Sequence, residues 1–550
     1  MDFIDTLFGS LSKVNFVEID LSGEIPEEEE KSLLPTIGAK KKFTLWDIEK
    51  ILTGIENNPK ILGAIVKLSE LRVGFARANL IRQRLLDLRA RGKKIIVNLQ
   101  SGGNIEYLIA SSADAIYVAP WSMLNLIGLK AEVTFYKDAL DKIGVLAHMK
   151  GFGEYKSASE TFTRDSMSEP HREMINSIIG DLEDQLEEFI SEGRGISTKE
   201  VKSLIDQGPY LADRAYEASL IDGVLYEGDL EERACELIGT KLHLIKAGNF
   251  LRRLNIKDKI RLVLGKFISS YPVIAIIADS GMITLGRSRG SGPFKSLGSD
   301  SLIRLLERVS SDRNVKAIVL RVLSPGGSAV ASDLICEKLE QISQKTPVVI
   351  SMSDVAASGG YLISLGAQKV VADSMSITGS IGIVSGKFDL SGLYSKLGIK
   401  KEFVIKGKKA LMFSSSKGFS KDEERKLLEI MEFYYREFVR KVSLSRNMEL
   451  SKAEEVSKGR VWTGKQAQER GLIDELGGIN TAVKISKKLA GIFEDQHCIL
   501  KFYSEPSGLQ LSSLFKAGVF LNTFSEMMDN LYSMEREKIL TLMPFNIDFK

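Results

Sequence analysis

Short apolar runs recur along this chain at residues 16–21, 62–68, 94–99 and 115–118, and again at 273–278, 315–322, 347–352 and 369–372. Runs this short and this rich in Val and Ile read as strands, several of them buried on both faces. The stretches between them read as helices, including one that starts near Asn104 and one near Ser358. Strands alternating with helices predict a mostly parallel sheet covered by helices. Each series then leads into a longer amphipathic stretch. One opens Ser420-Lys421-Asp422-Glu423, a capping-box pattern, and the other begins near Ser168 and Pro170. Both are too polar to span a membrane.

The two series are copies of one pattern. Ala64-Ile65-Val66 returns as Ala317-Ile318-Val319, and Ile95-Ile96-Val97 parallels Val348-Val349-Ile350. Tyr107-Leu108-Ile109 matches Tyr361-Leu362-Ile363, and Leu220-Ile221-Asp222 matches Leu472-Ile473-Asp474. The offset stays within 252–254 throughout. The expectation is an α/β protein built from two tandem copies of one fold. The N-terminal repeat spans 15–240 and the C-terminal repeat 271–490. Residues 241–270 serve as a link and 491–550 as an appendix.

The repeat permits an internal comparison. Ser358 lies in Ala356-Ala357-Ser358-Gly359-Gly360, where small neighbours allow another backbone to come close. Its counterpart is Asn104. In the first half, Gly153-Glu154-Tyr155-Lys156-Ser157 aligns with Gly407-Lys408-Lys409-Ala410-Leu411, so Lys156 faces Ala410. One half keeps a serine and lacks the lysine, and the other does the reverse. A serine hydroxyl needs a base, and a neutral lysine can serve. The reading is a Ser358/Lys156 pair assembled where two copies of the fold, in one chain or in two, meet. It requires Lys156 to be buried, with its nitrogen in hydrogen-bond reach of the Ser358 hydroxyl. A lysine alone reads as solvated, and a serine there reads as a helix N-cap. The complementary loss argues for the pair. Ser324-Pro325-Gly326-Gly327-Ser328 sits between a strand and a helix at 330–342. Gly326 or Gly327, with the N–H of Gly359 or Ser358, are candidate oxyanion donors.

Composition narrows the classes. The chain has 550 residues and a net charge of only +3, which gives no electrostatic footprint for nucleic acid. Cys235, Cys336 and Cys498 lack metal-site or disulfide spacing and read as three buried thiols. No metal or cofactor is expected. His148, His171, His243 and His497 are scattered, which disfavours a Ser-His-Asp triad. Gly286-Arg287-Ser288-Arg289-Gly290 fits G-x-S-x-G, but no helix follows directly, and it reads as a flexible basic loop. No apolar stretch is long enough to cross a bilayer. Phe3, Ile4, Leu7, Phe8 and Leu11 share one helical face, suited to a membrane interface or to docking on the protein itself. Residues 508–550 are amphipathic too, and ordinary packing suits them as well as assembly or membrane contact.

SDVAASGGY at 353–361, SPGGS at 324–328, ITGSIGI at 377–383 and GFGEYKSASETF at 151–162 resemble the long, duplicated type of signal peptide peptidase (protease IV). The match runs from about residue 15 to 490. This resemblance implies a Ser/Lys-dyad serine endopeptidase with a fold of the Clp protease/crotonase type. It gives Ser380 the role of orienting the lysine. It further implies homotetramers associated with the inner membrane, acting on released signal peptides and other extended apolar peptides. Long members usually begin with a transmembrane anchor, whereas this chain opens MDFIDTLFGSLSKVNF and enters its first strand, so a peripheral or cytoplasmic protein is also open. The rival readings are a crotonase-like acyl-CoA enzyme and a non-catalytic scaffold at a membrane.

Overall fold

A computed structural model describes residues 14–27, 42–256, 271–290, 295–493, 496, 498–504 and 539–543. The apolar face proposed for residues 3–11 and the stretch 508–538 lie outside the described residues.

Every expected strand forms, most of them longer than the apolar run that signalled it. The first half holds Phe16–Glu24, Gly63–Arg72, Lys94–Gly103 and Ala115–Val118. The second holds Val273–Ser280, Val315–Ser324, Val348–Ala357 and Lys369–Ala372. In the first half these join a sheet ordered Tyr210–Leu211, Met123–Asn125, Lys94–Gly103, Gly63–Arg72, Phe16–Glu24, Leu244–Lys246. In the second the order is Val461–Thr463, Ile377–Gly379, Val348–Ala357, Val315–Ser324, Val273–Ser280, Ile499–Tyr503. The two orders correspond strand for strand. Pairing is parallel except at the second-to-first strand of each list, which is antiparallel in both. Leu244–Lys246, within the stretch read as a link, and Ile499–Tyr503, within the appendix, are therefore equivalent edge strands.

The central strands are buried on both faces, as their continuous apolar runs require. The long helices cover Glu169–Arg194 and Lys421–Ser445. Ser420 caps the latter with a full capping box, its hydroxyl accepting from the Glu423 N–H. Of the cysteines only Cys336 is buried, whereas Cys235 and Cys498 are half-buried.

The compact units do not follow the repeat boundaries. One comprises residues up to 130 with 179–271, and the other joins 131–178 to residues from 272 onward. The segment carrying Lys156 thus belongs spatially to the C-terminal unit. The cause is a second sheet in that unit, ordered Ser296–Gly298, Met282–Thr284, Gly326–Ser328, Ile539–Leu542, Ile383–Asp389, Leu146–Phe152. Leu146–Phe152 pairs antiparallel with Ile383–Asp389 over seven residues, from Leu146 opposite Asp389 to Phe152 opposite Ile383.

Each half fastens the short helix that follows its third strand, Asn104–Ala110 and Gly359–Ser364, with the same buried bond. The Tyr107 hydroxyl donates to the Leu220 carbonyl at 2.7 Å, and the Tyr361 hydroxyl to the Leu472 carbonyl at 2.9 Å. Both rings are fully buried, so losing either hydroxyl leaves a carbonyl without its partner. Tyr107→Phe and Tyr361→Phe are each expected to cost about 1–2 kcal/mol in denaturant unfolding, with little change in fold by circular dichroism.

Candidate active site

The strand Val348–Ala357 ends where a short helix, Gly359–Ser364, begins, and Ser358 is the residue between them. Its φ of +55° and ψ of −111° are costly for a residue with a side chain, on the order of 1–3 kcal/mol. The strain is held by two backbone bonds: Ser358 N–H donates to Gly379 O at 2.7 Å, and Leu362 N–H to Ser358 O at 2.8 Å. Although Ser358 occupies the N-cap position, its hydroxyl caps nothing. Asn104, the first-half counterpart, instead starts its helix at a position without a positive φ, and its amide donates to the Gly128 carbonyl at 2.8 Å.

Lys156 follows the strand Leu146–Phe152 through a turn at Gly153, whose φ is +115°. A further turn of the chain clamps it. Tyr155 N–H donates to Lys458 O at 2.8 Å, and Gly459 N–H to Ile381 O at 2.7 Å. Gly459 must be glycine: its φ is +80°, and an added Cβ would stand 2.6 Å from the Cβ of Lys156. Nothing in the sequence distinguished Lys458 and Gly459 from an ordinary turn.

The expected pair forms. Lys156 Nζ and Ser358 Oγ are hydrogen-bonded at 2.8 Å across 202 residues of sequence. Lys156 Nζ donates to Ser380 Oγ at 2.9 Å and to the Ser380 carbonyl at 2.8 Å. Lys156 is 3% exposed, and Ser358 and Ser380 are fully enclosed. All three partners are uncharged oxygens. With no carboxylate to hold the ammonium form, burial drives the Lys156 pKa well below its ordinary 10.5. Ser380 sits at φ +53°, its N–H tied to Arg460 O at 2.7 Å.

The glycines of 324–328 gather beside the serine. Gly326 and Gly327 have φ of +107° and +151°. Gly326 N–H donates to Ser324 Oγ at 3.1 Å, so it is already engaged. A Cβ built on Gly359 would lie 3.2 Å from Gly327 N. Against these glycines runs a strand that the sequence reading consigned to the appendix. Ile539–Leu542 pairs antiparallel with Gly326–Ser328 on one side and with Val384 and Ser385 on the other. Thr541 Oγ1 donates to Gly327 O at 3.1 Å, and Leu540 is buried against Met149 and Val384. Ile539-Leu540-Thr541-Leu542, at the end of an amphipathic stretch, was the available signal, and it was too short to separate from packing.

The G-x-S-x-G match has a local structural task. Ser288 Oγ accepts from Gly298 N–H at 3.0 Å, and Ser288 N–H donates to Ser301 Oγ at 3.1 Å. Among the described residues His171 sits by Glu160 at 3.1 Å and His148 by Asp389 at 3.9 Å, whereas the hydroxyl of Ser358 is hydrogen-bonded to Lys156.

A model of peptidase family S49 matches residues 87–241 and again 340–492. The chain belongs to peptidase family S49. The first matched stretch contains Lys156 and the second Ser358, so the duplication seen in the sequence is a duplication of the family's domain. The chloroplastic serine protease SPPA of Arabidopsis thaliana is 32% identical over 452 residues, covering 82% of this chain. This chain spans 66% of the length of that relative. Protease 4 of Haemophilus influenzae is 30% identical over 474 residues, 83% of this chain and 74% of the relative. Among the described residues no helix of this S49 member is long and apolar enough to cross a membrane.

Two outcomes follow from the lysine's surroundings. Below its unfolded-state pKa near 10.5, unfolding lets Lys156 take up a proton it lacks when folded. Stability then rises with pH across the window between the folded and unfolded pKa values. Lys156→Met is expected to be more stable than the parent at pH 7. Its advantage should shrink by up to about 1.4 kcal/mol per pH unit toward 10.5. Parallel stability curves in urea from pH 7 to 10 would contradict this. Gly459→Ala is expected to push Lys156 away and lower peptide hydrolysis at least tenfold, while the fold, followed by far-UV circular dichroism, is kept.

Proposed function

We propose that this S49 peptidase is an endopeptidase in which Ser358 is the nucleophile and Lys156 the general base. The observation that carries the reading is the 2.8 Å contact between Lys156 Nζ and Ser358 Oγ in a fully buried site. Neutral Lys156 takes the hydroxyl proton as Ser358 Oγ attacks the peptide carbonyl. The resulting oxyanion is met by the N–H of Gly359 or Ser358 together with that of Gly326 or Gly327, which lie beside the serine. When the intermediate collapses, the C–N bond breaks and the lysine passes its proton to the departing amine. Lys156 next deprotonates a water that hydrolyses the acyl-enzyme, and the proton returns to Ser358. Ser380 takes the two N–H groups of the neutral amine through its carbonyl and its Oγ, which leaves the nitrogen lone pair aimed at the Ser358 hydroxyl.

The substrates in this proposal are released signal peptides and other extended apolar peptides. Support comes from the strand at 539–542, which shows that an extended segment fits between Gly326–Ser328 and Ile383–Asp389 with a leucine buried. A relative from Enterococcus faecium carries the name putative signal peptide peptidase SppA, 33% identical over 40% of this chain and 63% of its own length. The working form in this reading is a homotetramer in contact with a membrane surface.

Incubation with an acylating serine-protease probe followed by peptide mapping should find label on Ser358. Ser358→Ala and Lys156→Ala should each lower cleavage of an apolar signal peptide by roughly 10⁴-fold or more. The parent kcat/KM should rise with pH as the lysine loses its proton and level off well below pH 10.5, since burial depresses that group. Full activity in Lys156→Ala would sink the assignment.

A further inference from the structure

The geometry points to Arg460 and Glu173 as positioning residues for the dyad: their ion pair ties the segment that carries Lys156 to the turn that holds Ser380. The inference rests on the Ser358/Lys156 reading above, and its variants are compared with Lys156→Ala so that the two can fail separately.

Arg460 closes the turn that clamps the lysine segment, one residue after Gly459. Its carbonyl accepts the Ser380 N–H at 2.7 Å, and Ser380 in turn accepts from the Lys156 amine. Its side chain reaches the same amine by a second route. The guanidinium carbon lies 4.7 Å from the ring centroid of Tyr155, the residue before Lys156, and 4.7 Å from that of Trp462. Trp462 is buried, with its indole N–H donating to Val456 O at 3.1 Å. Arg460 Nη1 meets Glu173 Oε1 at 2.6 Å, and Glu173 Oε2 accepts from the Tyr155 hydroxyl at 3.2 Å. One carboxylate therefore holds both the cation and a ring that the cation covers.

Glu173 is itself held in place. The helix Glu169–Arg194 lays its first turns along the strand Val461–Thr463. Met174 Sδ accepts from Val461 N–H at 3.2 Å, and Gln466 Nε2 donates to Ser177 O at 3.2 Å. The hydrogen bond from Arg460 holds the Glu173 carboxyl below its usual range, so the pair is charged at neutral pH.

The repeat shows that the cluster goes with the dyad. Ser168 and Ser420 each accept from the N–H three residues on, that of His171 and that of Glu423, which sets the offset there at 252 and puts Arg425 opposite Glu173. Tyr210 pairs with Leu124 as Trp462 pairs with Thr378, which puts Gly208 opposite Arg460. Lys409 stands opposite Tyr155. The positions equivalent to ring, anion and cation thus hold a lysine, an arginine and a glycine, and no such ion pair can form among them. The division is the one seen for the dyad: Tyr155 and Glu173 come from the half with Lys156, Arg460 from the half with Ser358.

The backbone N–H of Tyr155 is fixed by Lys458, and the ion pair fixes its side chain as well. With the pair lost, the ring is free to turn, the segment after it loosens and water reaches Lys156 Nζ. A hydrated amine keeps its proton and is a poorer base.

The test uses the full chain and compares Glu173→Gln, Arg460→Met, Arg470→Met and Lys156→Ala. Arg460→Met keeps an apolar side chain on the rings and removes the cation. Arg470 also lies over Trp462, at 4.0 Å, and donates to Gln466 O at 2.8 Å, so it is the control for stacking on that ring alone. Glu173→Gln and Arg460→Met should each lower kcat at pH 7 by about 10–100-fold, the scale of a misplaced reacting group, with KM little changed. Arg470→Met should match the parent. In both affected variants the rise of kcat/KM with pH should move to higher pH, because burial no longer depresses the lysine. Glu173→Gln is the decisive variant. Removal of a nearby anion would by charge alone ease loss of the lysine proton and move the rise to lower pH, whereas displacement of the amine moves it to higher pH. Glu173 is 54% exposed, so this variant decides the matter even if Arg460→Met fails to fold by circular dichroism. A parent-like kcat in Glu173→Gln, a pH profile that stays in place or moves to lower pH, or an equal loss in Arg470→Met would each overturn the inference. With Lys156→Ala inactive, those outcomes fall on the ion pair alone; full activity in Lys156→Ala would overturn the dyad and this inference with it.

Discussion

The antiparallel pairing of Leu146–Phe152 with Ile383–Asp389 is the contact on which the chemistry depends. It holds two segments more than 200 residues apart in sequence in one register. At its end the chain turns through Gly153 and delivers the Lys156 amine to the Ser358 hydroxyl. A one-residue slip would turn each side chain of the strand to the opposite face. Seven paired residues, a glycine turn at each side and the 457–460 clamp leave little freedom for such a slip. The precision of the site is thus a property of backbone pairing and not of the two side chains.

That pairing also makes the environment dry. A lysine is a poor base while it carries a proton, and water is what keeps the proton there. The sheet encloses Nζ among uncharged oxygens, so its charged form loses solvation without gaining a counter-ion. A carboxylate beside it would undo the effect by favouring the ammonium. Ser380 meets the remaining hydrogen-bonding need of the amine without bringing charge. The strained φ at Ser358 and Ser380 belongs to the same arrangement, since both turns lift a hydroxyl toward one point.

Much of this was legible in the sequence because duplication supplied an internal control. Buried parallel strands announce themselves as continuous apolar runs, and comparing Ser358 with Asn104, and Lys156 with Ala410, singled out the two residues. The strands at 244–246 and 499–503 were not legible, because three to five residues at a sheet edge carry too little periodicity to distinguish them from linkers. Nor was the role of Gly459, since a glycine that makes room for a distant lysine looks like any turn glycine. The compact units differ from the repeats for a related reason: sequence similarity records ancestry, whereas contacts record which strand found which edge.

The 202-residue gap between Lys156 and Ser358 has a meaning for the chain as it is made. At about 5–20 residues per second, Lys156 leaves the ribosome roughly 10–40 seconds before Ser358 does. The strand that seats the lysine, Ile383–Asp389, is made later still. Until then Lys156 has neither the strand that seats it nor the Ser358 hydroxyl it meets. Splitting the pair between two copies of one fold makes its assembly a late event in the synthesis of the chain.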